Sequence, residues 1–164
     1  MQQPNTTTTI NVSKEEYVAA FATWEYTRWL VASSCFFMVP SAYAYYNQLY
    51  FNSYVLLLTS LISANYWRKA TYSWRRTADL IFAKISFCIF LVGWITHVTD
   101  YKMCLVGAFC SGCMAASYEL SCGLREKKSP HWYKCHVAYH LSTMVSQLIV
   151  LNTMLRTRRE NDVV

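Results

Sequence analysis

Charge is what this sequence has least of. Asp, Glu, Lys and Arg make up 15% of its 164 residues, against roughly 25% in ordinary soluble domains. Between Trp29 and Trp67 there is no charged residue at all, a run of 39 positions. A soluble domain of this size rarely leaves so long a stretch without charge, whereas a bilayer core asks for about 20 apolar residues per crossing. Glycine and proline are also scarce, at 4 and 3. With so few turn residues, and with continuous apolar runs in place of alternation, a transmembrane β-barrel is excluded. Residues 1–13 lack the charged-then-apolar layout of a signal peptide. No internal repeat is present.

Cysteine is not scarce, but its pattern excludes a disulfide scaffold. The count is seven, an odd number, and Cys35, Cys88, Cys104, Cys110 and Cys113 sit inside apolar runs. Cys110 and Cys113 form a C-x-x-C without a second such pair. Small neighbours make close helix packing the better reading there than redox or zinc chemistry.

What is present is a set of apolar segments separated by short polar ones. The expected fold is all-α, an integral membrane bundle of about five transmembrane helices with a short N-terminal interfacial helix. The expected spans are 29–45, 53–67, 79–97, 103–122 and 135–155, within a transmembrane domain of 29–155. Residues 1–13 read as a disordered polar tail carrying two N-glycosylation sequons, at Asn5 and Asn11. Residues 14–28 read as an amphipathic interfacial helix. There Ser13 and Glu16 form a capping box, and Tyr17, Phe21 and Trp24 follow at helical spacing. Residues 156–164 read as a polar tail. Pro40 predicts a kink in the first span.

The net charge is +6, and its placement decides what it means. Arg68, Lys69, Arg75 and Arg76 follow the second span, and Arg125, Lys127, Lys128 and Lys134 follow the fourth. Basic loops beside apolar runs point to the cytoplasmic face and to membrane lipids as partners, not to nucleic acid. Both loops, 68–78 and 123–134, are therefore expected to be cytoplasmic. Arg156, Arg158 and Arg159 then end on the opposite side, against the same rule. Trp67 and Trp74, with Arg68, Lys69, Arg75 and Arg76, are expected to anchor the chain at the interface and to meet lipid phosphates.

Ionisable groups within spans are costly and often functional. Asp79, Lys84, Glu119, His136 and His140 are of this kind. His136 and His140 are spaced i, i+4 and share one helix face, a spacing that lets two imidazoles ligate one metal. The bland alternative is a pair of headgroup-level histidines bonded to water and neighbouring helices. Asp79 has ready partners in Arg75 and Arg76, one turn earlier. Lys84 and Glu119 can neutralise each other across two spans, and Lys84 can also snorkel toward the basic side. With five spans, Ser63, Tyr66, Asp79, Glu119, His136 and His140 all fall near one surface.

These residues resemble the CREST superfamily of membrane hydrolases, which includes alkaline ceramidases and adiponectin-receptor-like proteins. Ser63-Ala64-Asn65-Tyr66 is similar to the end of one family span, Asp79-Leu80-Ile81 to the start of the next, and His136-Val137-Ala138-Tyr139-His140 to the terminal motif. The resemblance implies a zinc ion held by His136 and His140, with Glu119 or Asp79 as a further ligand. It also implies Asp79 acting on the zinc-bound water, Ser63 steadying the oxyanion, and a lipid amide or ester as substrate. Two departures stand beside it: Tyr66 or Trp67 occupies the place of the first zinc histidine, and the family typically has seven spans. The string from Asn65 to Lys69, followed by Ser73-Trp74-Arg75-Arg76, also resembles uncharacterised small membrane proteins of large DNA viruses and of algae or protists, which implies no activity. Three functional expectations follow. The first is a non-catalytic structural or binding membrane protein. The second is a zinc-dependent lipid hydrolase. The third is a small transporter or proton conductor using Lys84, Glu119 and the histidines.

Overall fold

Every regular element among the described residues, 23–98 and 100–161, is a helix in the computed structural model. The expected tail 1–13, its sequons and capping box, and most of the 14–28 segment lie outside those residues. The first helix, α1, covers Trp24–Ser34 and runs unbroken across the boundary expected at position 29. A 3-10 turn at Cys35–Phe37 leads into α2, Met38–Tyr46. The tightening falls in the turn before Pro40, where the kink is expected. A proline there has no N–H to offer the carbonyl one turn back, and its ring crowds that carbonyl.

The sharp turn after α2 holds Gln48 at φ 61°. Helix α3 then spans Tyr50–Arg68 and α4 spans Trp74–His97. Asp100 caps the next helix by accepting from the Lys102 N–H at 3.0 Å. That helix, α5, is Tyr101–Glu126. Helix α6 is Trp132–Asn161 and starts two residues after Pro130. It continues through Arg156, Arg158 and Arg159, which were expected in a tail. Arginine is a good helix former, and basic side chains complement the C-terminal pole of the helix dipole. At 1.5 Å per residue α6 is about 45 Å long.

Helix α6 is the hub of the bundle. It packs against α1, α2, α4 and α5, while α3 packs against α1, α2 and α4. Helices α4 and α5 each lean on α6 but hardly touch one another. Where they do meet, a Cβ added to Gly107 would fall inside the Trp94 indole. A methyl group at that crossing would oblige the Trp94 ring to move aside.

The interior mixes apolar clusters around Leu30 and Leu56 with many polar side chains, while large apolar side chains are exposed outside. Thr27, Ser33, Ser34, Ser60, Ser63, Ser86, His140 and Gln147 are all buried. Meanwhile Phe87, Val92, Ile95, Leu105 and Phe109 are exposed, Phe109 at 73%. Two helices, α4 and α5, are long and apolar enough to cross a membrane. Only 17% and 6% of their apolar stretches are buried, so neither is the core helix of a water-soluble fold. The other helices have less apolar sequences for a visible reason. Their Ser, Thr, Asn and His side chains point inward and bond within the bundle, as in Ser41 Oγ donating to the Ser53 carbonyl at 2.9 Å.

Candidate functional site at the basic end

The turns that follow α3 and α5 lie at one end of the bundle. Tyr66, in the last turn of α3, is within electrostatic reach of both Arg76 and Arg125. At this end α1, α3, α4 and α6 bring together most of the singled-out polar residues.

Ser63, on the buried face of α3, lies toward the Asp79 carboxyl on α4, close enough to interact with it. Asp79 therefore takes its partner from another helix instead of from Arg75 or Arg76 on its own. Ser63 in turn sits 3.1 Å from Ser34 Oγ. The single Ser34 proton is shared between Ser63 and the Leu30 carbonyl, which is 2.8 Å away. Ser60 donates to the Ser34 carbonyl at 2.9 Å and fixes α3 against α1. Asp79 also interacts electrostatically with Tyr66 and Tyr139.

His136 and His140 stack edge to face on α6, with ring centroids 5.0 Å apart. His140 is buried, and its Nδ1 lies 2.8 Å from Ser33 Oγ. His136 has Nδ1 3.3 Å from Ser121 Oγ on α5. Both Nδ1 positions are taken, so Nε2 is the nitrogen each ring has left for another partner. Phe37 lies against His140 at 5.3 Å, and Trp67 lies edge-on to His136 at 4.9 Å.

Two expected members do not join. Glu119 is exposed on α5, and Lys84 is exposed on α4. Neither a third metal ligand at Glu119 nor a polar path through Lys84 and Glu119 is assembled. The sequence spacing gave their depth along the helix but not their face. Trp67 also departs from expectation. It is 4% exposed and packs on Tyr66, Trp132 and His136, so it belongs to the core and not to the lipid interface. A large ring one residue from the end of α3 is drawn inward because Leu30 and Trp132 offer it a packed apolar surface. Trp74 is 71% exposed, with Arg75 over its ring at 5.9 Å. Arg68 and Lys69 are exposed, and Arg76 lies over the Tyr72 ring at 4.8 Å.

Sequence reasoning missed Ser33, Ser34, Ser121 and Tyr139. A pair of serines in the charge-free run that starts at Trp29 was a usable signal for the first two. Ser121 and Tyr139 had none beyond nearness to the histidines.

A catalytic zinc site needs three protein ligands and an open position. Among the described residues no three His, Cys, Asp or Glu side chains converge. Tyr66 occupies the place where the resemblance calls for a histidine, and its ring stacks on Trp67 at 4.6 Å. Tyrosine is not among the usual zinc ligands. The donor set here is two imidazoles, which does not make that site. Cys110 and Cys113 are free thiols, half-buried on α5.

Protein-family models, curated proteins and solved structures contain no match to this chain.

Proposed function

We propose that the chain is a five-span integral membrane protein whose polar cluster binds a lipid-derived group and does no chemistry on it. The observation that carries this reading is the exposed apolar face of α4 and of α5 beside an interior that holds hydrogen-bonded polar groups. Helices α1 to α6 overlap the five stretches expected to span, and α4 and α5 are apolar and long enough for a crossing by themselves, which supports the reading. The basic turns fall at one end, as cytoplasmic loops would. The cluster's own hydroxyls and imidazoles are mutually bonded, as suits a rigid binding surface. Alkaline extraction of membranes tests the first half: the chain stays in the pellet if it spans the bilayer and is released if it does not. Mass spectrometry of lipids retained through purification tests the second. Asp79→Ala is expected to lose a lipid species that the parent protein retains, and identical lipid content would sink the binding claim.

The second reading is a hydrolase of the CREST type. It draws on the Ser63–Asp79 interaction and the adjacent histidines, and it lacks a third metal ligand. Elemental analysis of the purified protein separates the two readings. The binding reading expects zinc far below one ion per chain, unchanged by His136→Ala. Stoichiometric zinc that His136→Ala removes would favour the hydrolase.

A further inference from the structure

We infer that the opposite end of the bundle carries a phosphate-binding site, occupied by the phosphodiester of a phospholipid headgroup. The naming of the lipid rests on the membrane reading above; the phosphate chemistry does not. A cavity of about 260 Å³ opens there between the α2–α3 turn and the end of α6. Its lining is Tyr46, Asn47, Gln48, Leu155, Arg158 and Arg159, with two guanidinium groups and no acidic side chain.

The placement follows from helix geometry. Leu155, Arg158 and Arg159 are spaced i, i+3, i+4 and share one face of α6. Leu155 is buried and forms an apolar floor, with the two arginines one turn further out. The facing wall is the tight turn at Asn47 and Gln48. Asn47 Nδ2 donates to the Tyr43 carbonyl at 2.8 Å. Gln48 is held at positive φ, a backbone state that a non-glycine residue adopts only where its surroundings impose it. The Tyr43 hydroxyl reaches Asn152 Oδ1 at 3.5 Å, so the turn is tied to α6. The result is a preformed rim of amide and phenol groups facing two arginines. Guanidinium forks match phosphate oxygens in geometry as well as charge.

The depth suits a headgroup. Tyr45, Tyr46 and Tyr50 are exposed around the cavity, and exposed tyrosines mark the headgroup level of a membrane protein. The site also accounts for the basic residues that break the charge rule. Arg158 and Arg159 lie on the side opposite the basic loops because they line a cavity there.

The test is thermal unfolding of the full chain in detergent micelles. The micelles are doped with phosphatidylglycerol, with phosphatidylcholine, with a neutral diacylglycerol or with inorganic phosphate. Either phospholipid is expected to raise the melting temperature by about 3 °C or more over diacylglycerol. That gain should vanish in R158Q/R159Q and persist in R68Q/K69Q, which alters the other end. A gain reproduced in full by inorganic phosphate supports the phosphate site and assigns it to the free anion. Equal melting temperatures with phospholipid and diacylglycerol would overturn the inference. So would a phospholipid gain that survives R158Q/R159Q. A loss of stability in R158Q/R159Q that is the same in every micelle also counts against it, because the arginines would then serve only the helix dipole. Failure of alkaline extraction would remove the lipid and leave the phosphate arm standing.

Discussion

Asp79 shows how a single carboxyl is accommodated in a helical interior. Its arginine neighbours in sequence lie on the same helix, yet the side chain it interacts with is Ser63 on α3. A buried acceptor that loses its donor bears a desolvation cost of about 1–3 kcal/mol. Ser63→Ala is therefore expected to destabilise the protein by about that amount. Asp79→Asn keeps an acceptor oxygen for Ser63 and should cost less than Asp79→Ala. Chemical unfolding of the detergent-solubilised variants checks the order. Glu119→Gln, on the exposed face of α5, is the control and should fall within about 0.5 kcal/mol of the parent. The interhelical partner could not be read from spacing, since a residue's sequence neighbours name only those on its own helix.

At the scale of the element, the crossing of α4 and α5 turns on one glycine. Gly107 faces the Trp94 indole with no space for a Cβ, whereas Gly112 and Gly123 face open space. Gly107→Ala forces the Trp94 ring aside and should cost about 1–3 kcal/mol, as overpacking does. Gly112→Ala and Gly123→Ala should be neutral or stabilising by up to about 1 kcal/mol through helix propensity. The melting temperatures of the three variants give the comparison. The elements themselves were largely legible in the sequence. The spans expected from 103 and 135 lie within α5 and α6, and the 3-10 turn at Cys35–Phe37 falls just before Pro40, where a kink was expected. Less legible was α6, whose arginines read as a tail because charge was taken as the end of a span. A helix persists past the apolar run wherever its residues favour it.

At the scale of the whole molecule, the test is which solvent the outer surface meets. Phe109 and Tyr72 are both exposed, Phe109 within α5 and Tyr72 in the basic turn. A lysine within a lipid-facing span costs about 2.5–3.5 kcal/mol at the helix centre. Phe109→Lys should therefore lower the fraction of α5 inserted in a membrane-insertion assay, and Tyr72→Lys should not. Equal insertion of both variants would mean that the face carrying Phe109 does not meet lipid.

The sequence by itself determined the helices, their order and the end of each on which charge falls. These follow from local composition and from periodicity along one chain. It also placed Ser63, Asp79, His136 and His140 at a common depth, because depth is a count of residues along each helix. Only the tertiary structure decided which of them share a face. Rotation of one helix against another is set by packing at every contact, such as the indole of Trp67 turning inward onto Trp132 and His136. The same rotations left Glu119 and Lys84 outside the cluster and brought in Ser33, Ser34 and Ser121. The interior polar groups met partners across helices, as Ser33 met His140, or were buried without one, as Ser86 Oγ was, only through that packing.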